Sequence, residues 1–450
     1  MSGVSVSGAR TFQQGIHPPE AKEATARRPI EAMPLTAQLV VPLQQHIGAP
    51  TAPVVEAADE VRRGQLVGHS DVFVSADVHA SASGRVLEIR SALHPVGADV
   101  LSVVIATDAE ADAQVRFEER PVRLEEMEPV AIRQAVQEAG IVGLGGAAFP
   151  THVKISPPRD TPIDTVLING CECEPGLTAD HRLMLERPAD ILLGLRAVLR
   201  AVGAERAFIG IEANKPDALA EMRRAVAAGA RPQTGAAVAV VALRTKYPQG
   251  GEKLLIKAIL NREVPAFGLP MAVGVVVHNV ATCVAIAEKL RLGKPLYERV
   301  VTVTGTPVAR PGNYLVRIGT SFRDLLEFSG CDFSRVGKVI SGGPMMGVAQ
   351  YSLEVPVVKG TAGIVVQAPA EVDVAAEQPC IRCGRCVDSC PVFLEPYALG
   401  KLAKAGRWAE VDRYHIMNCM ECGCCAYVCP ARIPLVQYIK LAKIKRPREK

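Results

Sequence analysis

Cys380-Ile381-Arg382-Cys383-Gly384-Arg385-Cys386-Val387-Asp388-Ser389-Cys390-Pro391 and Cys419-Met420-Glu421-Cys422-Gly423-Cys424-Cys425-Ala426-Tyr427-Val428-Cys429-Pro430 are two copies of one pattern, Cys-x2-Cys-x2-Cys-x3-Cys-Pro. Three thiolates at this spacing can wrap one loop around three corners of an iron-sulfur cubane, while the fourth, ahead of proline, is directed to the neighbouring cluster. The pattern therefore expects two [4Fe-4S] clusters. Cys380, Cys383, Cys386 and Cys429 would hold one, and Cys419, Cys422, Cys425 and Cys390 the other. Zinc bound by four cysteines at each site is the competing arrangement, although zinc knuckles use paired cysteines and have no use for a third in each run. Cys424 is surplus, because choosing it in place of Cys425 breaks the repeat. The interval between the runs carries helical text at 397–405 and 408–414, so the expected module, over 376–435, is a helical ferredoxin-like domain rather than a β-hairpin one.

Composition agrees with a metal reading. Nine of the 13 cysteines fall between Cys380 and Cys429, and the first 30 residues contain no signal-peptide apolar stretch that would place them in an oxidising compartment. With no run of about 18 apolar residues either, the expectation is a chain without a membrane span, cytoplasmic or on the cytoplasmic face of a membrane. The 450 residues suggest about three domains. Fifty-one basic against 47 acidic residues give a net charge of only +4, and aromatic residues are 4% with a single Trp408, so neither charge nor stacking surface points to nucleic acid. The charge is uneven: from Cys380 to Lys450 there are 13 Lys and Arg against 6 Asp and Glu. Lys443, Lys445, Arg446, Arg448 and Lys450 form a basic tail over 436–450 that is either a solvated face or a contact for anionic lipid or an acidic partner.

Upstream of the cysteines the pattern is multidomain α/β and α+β. After an N-terminal extension, 1–34, short β-rich runs at Leu39–Val41, Val72–Val74, Arg85–Ile89 and Val100–Ile105 make 35–110 a small all-β module. Its two similar halves look like the barrel-sandwich hybrid of lipoyl and biotinyl carriers. No lysine occupies the hairpin at Asp77 to Ala82, so it carries no covalent arm. Alternating helix and strand over 120–296 reads as an α/β domain: helices at Val130–Ala139 and Ile191–Val202, strands at Thr165–Ile168, Ala207–Ile211 and Ala237–Leu243. Residues 298–368 form a smaller α+β module with a strand at Val300–Gly305, a helix at Ser321–Ser329 and a glycine-rich loop at Ser341 to Pro344, and 369–379 is the linker into the cysteine runs.

Within the α/β domain, Gly143-Leu144-Gly145-Gly146-Ala147-Ala148-Phe149-Pro150-Thr151 precedes Lys154. Glycines admit a phosphate or a flat ring and a lysine supplies charge, but a plain turn reads the same way; no strand leads into the loop as a dinucleotide fingerprint requires. The stretch becomes specific beside three others in the same order. The loop resembles the flavin-binding glycine loop of the NADH-oxidising 51 kDa subunit of respiratory complex I. Asn169-Gly170-Cys171-Glu172-Cys173-Glu174-Pro175-Gly176 is similar to that family's Asn-Ala-Asp-Glu-x-Glu-Pro-Gly loop, Tyr247-Pro248-Gln249-Gly250-Gly251-Glu252-Lys253 to its Tyr and Gly-Glu segment, and His278-Asn279-Val280-Ala281-Thr282 to its Asn-Asn-Val-Glu-Thr. The opening Gly15-Ile16-His17-Pro18-Pro19-Glu20, the stretch Pro42 to Pro50 and the order of modules narrow this to a resemblance to the RnfC family of Rnf (Rsx) ion-translocating electron-transport complexes, over nearly the whole chain.

That resemblance implies an α/β FMN/NADH domain, a soluble-ligand-binding β-grasp domain at 298–368, and FMN held by Gly143, Gly145, Gly146, Lys154, Asn169, Glu172, Gly250, Gly251, Asn279 and Thr282. It implies oxidation of NADH, or reduction of NAD+, at FMN, relay through the two clusters, and a peripheral place on the cytoplasmic side of the inner membrane among the other subunits of an Rnf-type complex. It names no further catalytic side chain. The sequence departs from the complex I protein at Cys171, which stands for an aspartate, at Lys253, which stands for a glutamate, and in replacing its single C-terminal cluster motif by the tandem one. Two alternatives follow: an iron-sulfur adaptor whose flavin site is degenerate, and a microcompartment corrin reductase, a relative whose flavin domain precedes its barrel. Cys283 and Cys331, in apolar text, are expected to be buried small hydrophobes, Cys171 and Cys173 non-ligands, and the nine histidines structural.

Overall fold

A computed structural model describes residues 9–229 and 237–447 of the chain; Arg448 and Lys450 of the expected basic tail lie outside them. The N-terminal β module is built on the antiparallel strands Gln38–Pro42, Asp99–Thr107, Gly84–Leu93 and Glu60–Val61, with a second sheet of Ala52–Pro53, Leu66–His69 and Val78–His79 closing over it. Leu39, Val41, Val67, Val86, Val103 and Ile105 fill the space between the sheets, the alternate residues that a two-sheet sandwich must turn inward. The run Val72–Val74 departs from the expected strand. It forms a bend with Val72 and Phe73 exposed, because β-propensity without a partner strand makes no ladder.

The central domain is a four-stranded parallel sheet whose spatial order is Ala237–Leu243, Arg206–Glu212, Thr165–Asn169, Val275–Asn279. The chain steps outward through the first three strands in sequence, then crosses back to place Val275–Asn279 on the far side of Thr165–Asn169. The helices Pro188–Val202, Pro216–Ala228 and Val280–Leu292 cover one face, where Ile191, Leu195, Val198 and Ile286 pack on Val166, Ile168 and Ile209. The helix Glu252–Leu260 covers the other face, with Leu255 and Ile256 against Leu167 and Val277. Strands buried on both faces read as unbroken Val, Ile and Leu rather than as alternation, which is how Thr165-Val-Leu-Ile and Val275-Val-Val look.

A mixed sheet follows, built on Glu298–Gly305, Gly312–Arg317, Gly363–Gln367 and Lys338–Ser341, with the helix Phe322–Phe328 packed on it through Phe322, Leu325 and Leu326. The segment Ile30–Ala32 adds a parallel strand to its edge, so part of the N-terminal extension is a member of this sheet. The cysteine runs sit on short helices, Arg385–Asp388 and Cys424–Tyr427, backed by Pro396–Lys404 and Leu435–Lys445. Helical text at 408–414 yields only a 3-10 turn at Val411–Tyr414, since Gly406 and His415, both at positive φ, end the segment on either side. Lys443 of the basic tail turns inward: its ammonium donates to the Cys419 carbonyl and to Glu421, each at 2.7 Å. Among the described residues no helix is long and apolar enough to cross a membrane.

Candidate functional site

Reversal of strand order leaves a crevice at the carboxyl ends of Thr165–Asn169 and Val275–Asn279, the place where open α/β sheets receive ligands. Asn169 and Asn279 end these two strands as register partners. The Asn279 side chain caps the helix Val280–Leu292 by accepting from Ala281 N at 2.8 Å, and its Nδ2 donates to Asp180 at 2.6 Å. The Asn169 amide donates to the Gly250 carbonyl at 2.8 Å and accepts from Cys171 N at 3.1 Å. The glycine loop closes on itself through Gly143 N to Phe149 O at 2.8 Å and is tied to the same helix by Leu144 N, which donates to Thr282 Oγ1 at 3.0 Å. A Cβ on Gly145 would touch Asn279 at 3.4 Å, and Gly146, at φ +110°, faces open space. Seven of the ten residues expected at a flavin (Gly143, Gly145, Gly146, Asn169, Gly250, Asn279 and Thr282) thus converge on the two strand ends.

The other three are engaged. Lys154 donates to Glu252 Oε1 at 2.6 Å and to the Val277 carbonyl at 2.7 Å. Glu172 accepts from Asp180 N and His181 N at 2.8 and 3.1 Å, capping the helix Ala179–Glu186 from outside. Gly251 begins the helix Glu252–Leu260 and faces Met420 of the second cysteine run, whose methyl stands 2.6 Å from where a Cβ would be. The amide Nε2 of Gln249 is buried without a partner among the described residues. Open backbone over Gly146, two strand-end amides and a helix N-terminus are the groups that a flat ring bearing a phosphate requires, so the residues present fit a flavin mononucleotide.

Sequence reasoning passed over two acidic groups here. Asp180 beside Asn279 is raised to about 7, first by burial and then by the charge of Glu172. Glu174 lies in the recognised loop, yet its role is visible only in three dimensions: its carboxylate accepts from Met345 N and Met346 N at 3.0 and 2.8 Å, gripping the 341–347 loop of the β-grasp sheet, and burial raises it while those N–H groups oppose the rise. Cys171 and Cys173 are held up as neutral thiols by burial, Cys173 at about 12, with Gly250 N donating to the Cys173 sulfur at 3.3 Å. Both Cys283 and Cys331 are buried.

The cysteine runs lie against this site. Tyr247, 1% exposed, donates its hydroxyl to the Cys422 carbonyl at 2.7 Å, and Ile16, Cys173, Met345 and Met420 pack round Cys422 and Cys424. Cys390, from the first run, lines a cavity together with Cys419, Cys422, Cys424 and Cys425 of the second. Burial raises the Cys386 thiol, and backbone N–H groups oppose the rise. The fourth cysteine of the first run thus lies with the second run, as in the crossed arrangement of two-cluster ferredoxins. Backbone N–H groups reach sulfur in both sets: Arg382 N to Cys380, Leu394 N to Cys390 and Glu421 N to Cys419, at 3.3–3.4 Å. Cys380 and Cys383 are exposed, whereas Cys390, Cys422 and Cys425 are buried. Among the described residues no three His, Cys, Asp or Glu side chains form a ready site for a single metal ion.

Comparison with known proteins covers the chain in four blocks. Residues 10–110 match the RnfC barrel-sandwich hybrid domain, 136–288 the Nuo51 FMN-binding domain, 300–349 the SLBB domain and 377–433 a 4Fe-4S dicluster domain. Similar over nearly its full length is the C subunit of the Clostridium ljungdahlii proton-translocating ferredoxin:NAD(+) oxidoreductase complex, 45% identical over 96% of this chain and 93% of that one. The C subunit of the Acetobacterium woodii Na(+)-translocating ferredoxin:NAD(+) oxidoreductase complex is 44% identical over 96% of each chain. That of the Rhodobacter capsulatus ion-translocating oxidoreductase complex is 42% identical over 96% of this chain and 82% of that one. A crystal structure of NAD+-reducing [NiFe]-hydrogenase in the H2-reduced state shares the fold, with a TM-score of 0.52 and 20% identity over 76% of this chain and 70% of that one.

Proposed function

The chain belongs to the RnfC family, the C subunits of ion-translocating ferredoxin:NAD(+) oxidoreductase complexes, and on that premise we propose that it is the component through which NAD(H) exchanges electrons with the rest of such a complex. FMN would lie at the crevice between Asn169 and Asn279, and two [4Fe-4S] clusters on the eight cysteines of the tandem runs. When bound, FMN converts between the two-electron hydride chemistry of NAD(H) and the one-electron chemistry of iron-sulfur clusters.

The chain's own part is to hold these sites in order. Asn169 and Asn279 offer side-chain amides at the strand ends, Gly145 and Gly146 leave their backbone uncovered, and the first turn of Val280–Leu292 presents the positive end of its dipole. One observation carries the route: the hydrogen bond from Tyr247, beside the flavin-type site, to the carbonyl of Cys422. It supports a route in which the Cys419, Cys422, Cys425 and Cys390 set is the inner station and the Cys380, Cys383, Cys386 and Cys429 set, with two exposed cysteines, is the outer one from which electrons pass to a partner protein. Ion passage is assigned to other subunits, and we place this one at the cytoplasmic face of the membrane.

The test is an anaerobic visible spectrum of the chain reconstituted with iron, sulfide and FMN, before and after NADH. Loss of both flavin and cluster absorbance supports the reading. Clusters that form but bleach only with dithionite would replace it with the adaptor reading, in which Lys154 is spent on Glu252 and Cys171 has taken the aspartate's place.

A further inference from the structure

Arg299 is a buried guanidinium that no carboxylate meets among the described residues. It lies on the strand Glu298–Gly305, outside the flavin-type domain, and is 5% exposed. Its nitrogens donate to carbonyls: Val300 at 3.2 Å, Leu144 at 3.3 Å, and Lys359. Burial lowers it to about 10, and Asp180, which opposes the shift, acts only through space. Lys359 is a second buried cation of this kind, 1% exposed, with its ammonium on the carbonyls of Asp77 and Gly140 at 2.6 and 2.7 Å. Removing a charge from water is costly unless an opposite charge arrives, and neither cation has an ion-pair partner among the described residues.

The position of Arg299 says what is missing. Leu144 joins it to the helix: the Leu144 carbonyl accepts from Arg299, while the Leu144 N–H donates to Thr282 Oγ1 in the first turn of the 13-residue helix Val280–Leu292. A guanidinium and a helix N-terminus are thus both tied to the glycine loop through Leu144, and two residues further on Gly146 leaves its backbone uncovered; the common complement of these groups is a compact anion. Asp180, the nearby carboxylate, is turned to Asn279 Nδ2 instead.

We propose that Arg299, contributed by the β-grasp module, supplies the charge for the phosphate of FMN at the glycine loop and selects the phosphorylated flavin over riboflavin. This rests on the flavin reading of the site. A guanidinium that merely braced Leu144 would affect both flavins alike, whereas one that answers the phosphate affects only the molecule carrying it.

The experiment is a fluorescence titration of the flavin-stripped full chain with FMN and, separately, with riboflavin. Arg299→Gln is expected to weaken FMN by on the order of tenfold or more while leaving riboflavin within about twofold, and Arg299→Lys, which keeps the charge, to retain most of the FMN affinity. Equal losses for the two flavins, or an unchanged FMN affinity, would overturn the proposal. A wild-type chain that binds neither flavin would instead remove the functional reading beneath it. Should Arg299→Gln not fold, wild-type riboflavin binding is measured with and without inorganic phosphate: phosphate that tightens it supports a separate anion place at the loop, and phosphate without effect counts against one.

Discussion

Asn169 and Asn279 stand opposite each other as register partners at the last position of two neighbouring parallel strands, and their amides point into different networks. The Asn169 amide reaches the Gly250 carbonyl, and so the helix Glu252–Leu260 on one face of the sheet. Asn279 reaches Asp180, and so the opposite face through Ala179–Glu186. A ligand lying between the two strand ends therefore touches groups anchored on both sides of the sheet. The crevice is held open by parallel ladders rather than by a mobile loop, which is how a rigid scaffold presents a site.

Asn279→Ala should lower stability by about 1 kcal/mol, the usual cost of losing a side-chain N-cap, and should also weaken FMN binding. Asn279→Asp keeps the cap on Ala281 N but sets a second carboxylate beside Asp180. With the cap kept but the donation to Asp180 lost, it should recover the stability only in part and the flavin not at all. Thermal unfolding with flavin titration on the same samples separates these effects; if the aspartate variant bound FMN as the wild type does, the amide donor of Asn279 would have no part in holding the cofactor.

Asp180 gives a pH dependence whose sign is fixed. Its folded-state value of about 7 lies above the ordinary 3.8, so folding favours the protonated form, and stability from this group declines as pH climbs between those values and stays low above them. Asp180→Asn removes that decline. In the cofactor-free chain the gain in melting temperature from the substitution should be larger at pH 8 than at pH 5; a gain independent of pH would mean that Asp180 titrates normally.

The tandem cysteine runs, the parallel sheet and the glycine loop were legible because each leaves a local mark: fixed thiol spacing, unbroken aliphatic runs, and glycines beside polar strand ends. What stayed hidden depends on contacts between distant segments. Nothing in the sequence around Arg299 distinguishes it from Arg317 on the paired strand, yet Arg317 meets Glu298 and Asp112 while Arg299 meets carbonyls. Glu174 looks like one more member of an acidic loop until the sheet brings Met345 and Met346 N–H groups to it. Val72–Val74 misled in the opposite direction, since its β-branched and aromatic residues lie at a bend with Val72 and Phe73 facing solvent. Lys443 in the basic tail was equally unreadable, because the Cys419 carbonyl and Glu421 that it meets lie more than 20 residues away in sequence.

Tyr247→Phe removes the hydroxyl that joins the flavin-type site to the Cys422 loop. It leaves a buried carbonyl without that donor, a loss of about 1–3 kcal/mol, and loosens the seat of the inner cysteine set. In stopped-flow mixing with NADH the flavin absorbance should bleach at the wild-type rate while the cluster absorbance bleaches several-fold more slowly. Equal slowing of both phases would show Tyr247 acting on NADH or flavin instead of on the relay.

Cysteine substitutions read the order of the two stations. Cys383→Ala opens the exposed set and should remove one electron paramagnetic resonance signal, leaving the other still reducible by NADH, because the Cys419, Cys422, Cys425 and Cys390 set sits between it and Tyr247. Cys422→Ala should remove the other signal and leave the remaining cluster reducible by dithionite but only slowly by NADH. Cys390→Ala decides the crossing: it belongs to the first run by sequence, yet it lines the cavity with the cysteines of the second. Its loss should therefore reproduce the Cys422→Ala spectrum and not the Cys383→Ala one. Cys424→Ala should leave both signals in place, since this thiol is fully buried and surplus to the repeat. If Cys390→Ala instead removed the signal that Cys383→Ala removes, each run would hold its own four ligands, and the inner and outer stations would have to be reassigned from the covalent order of the chain.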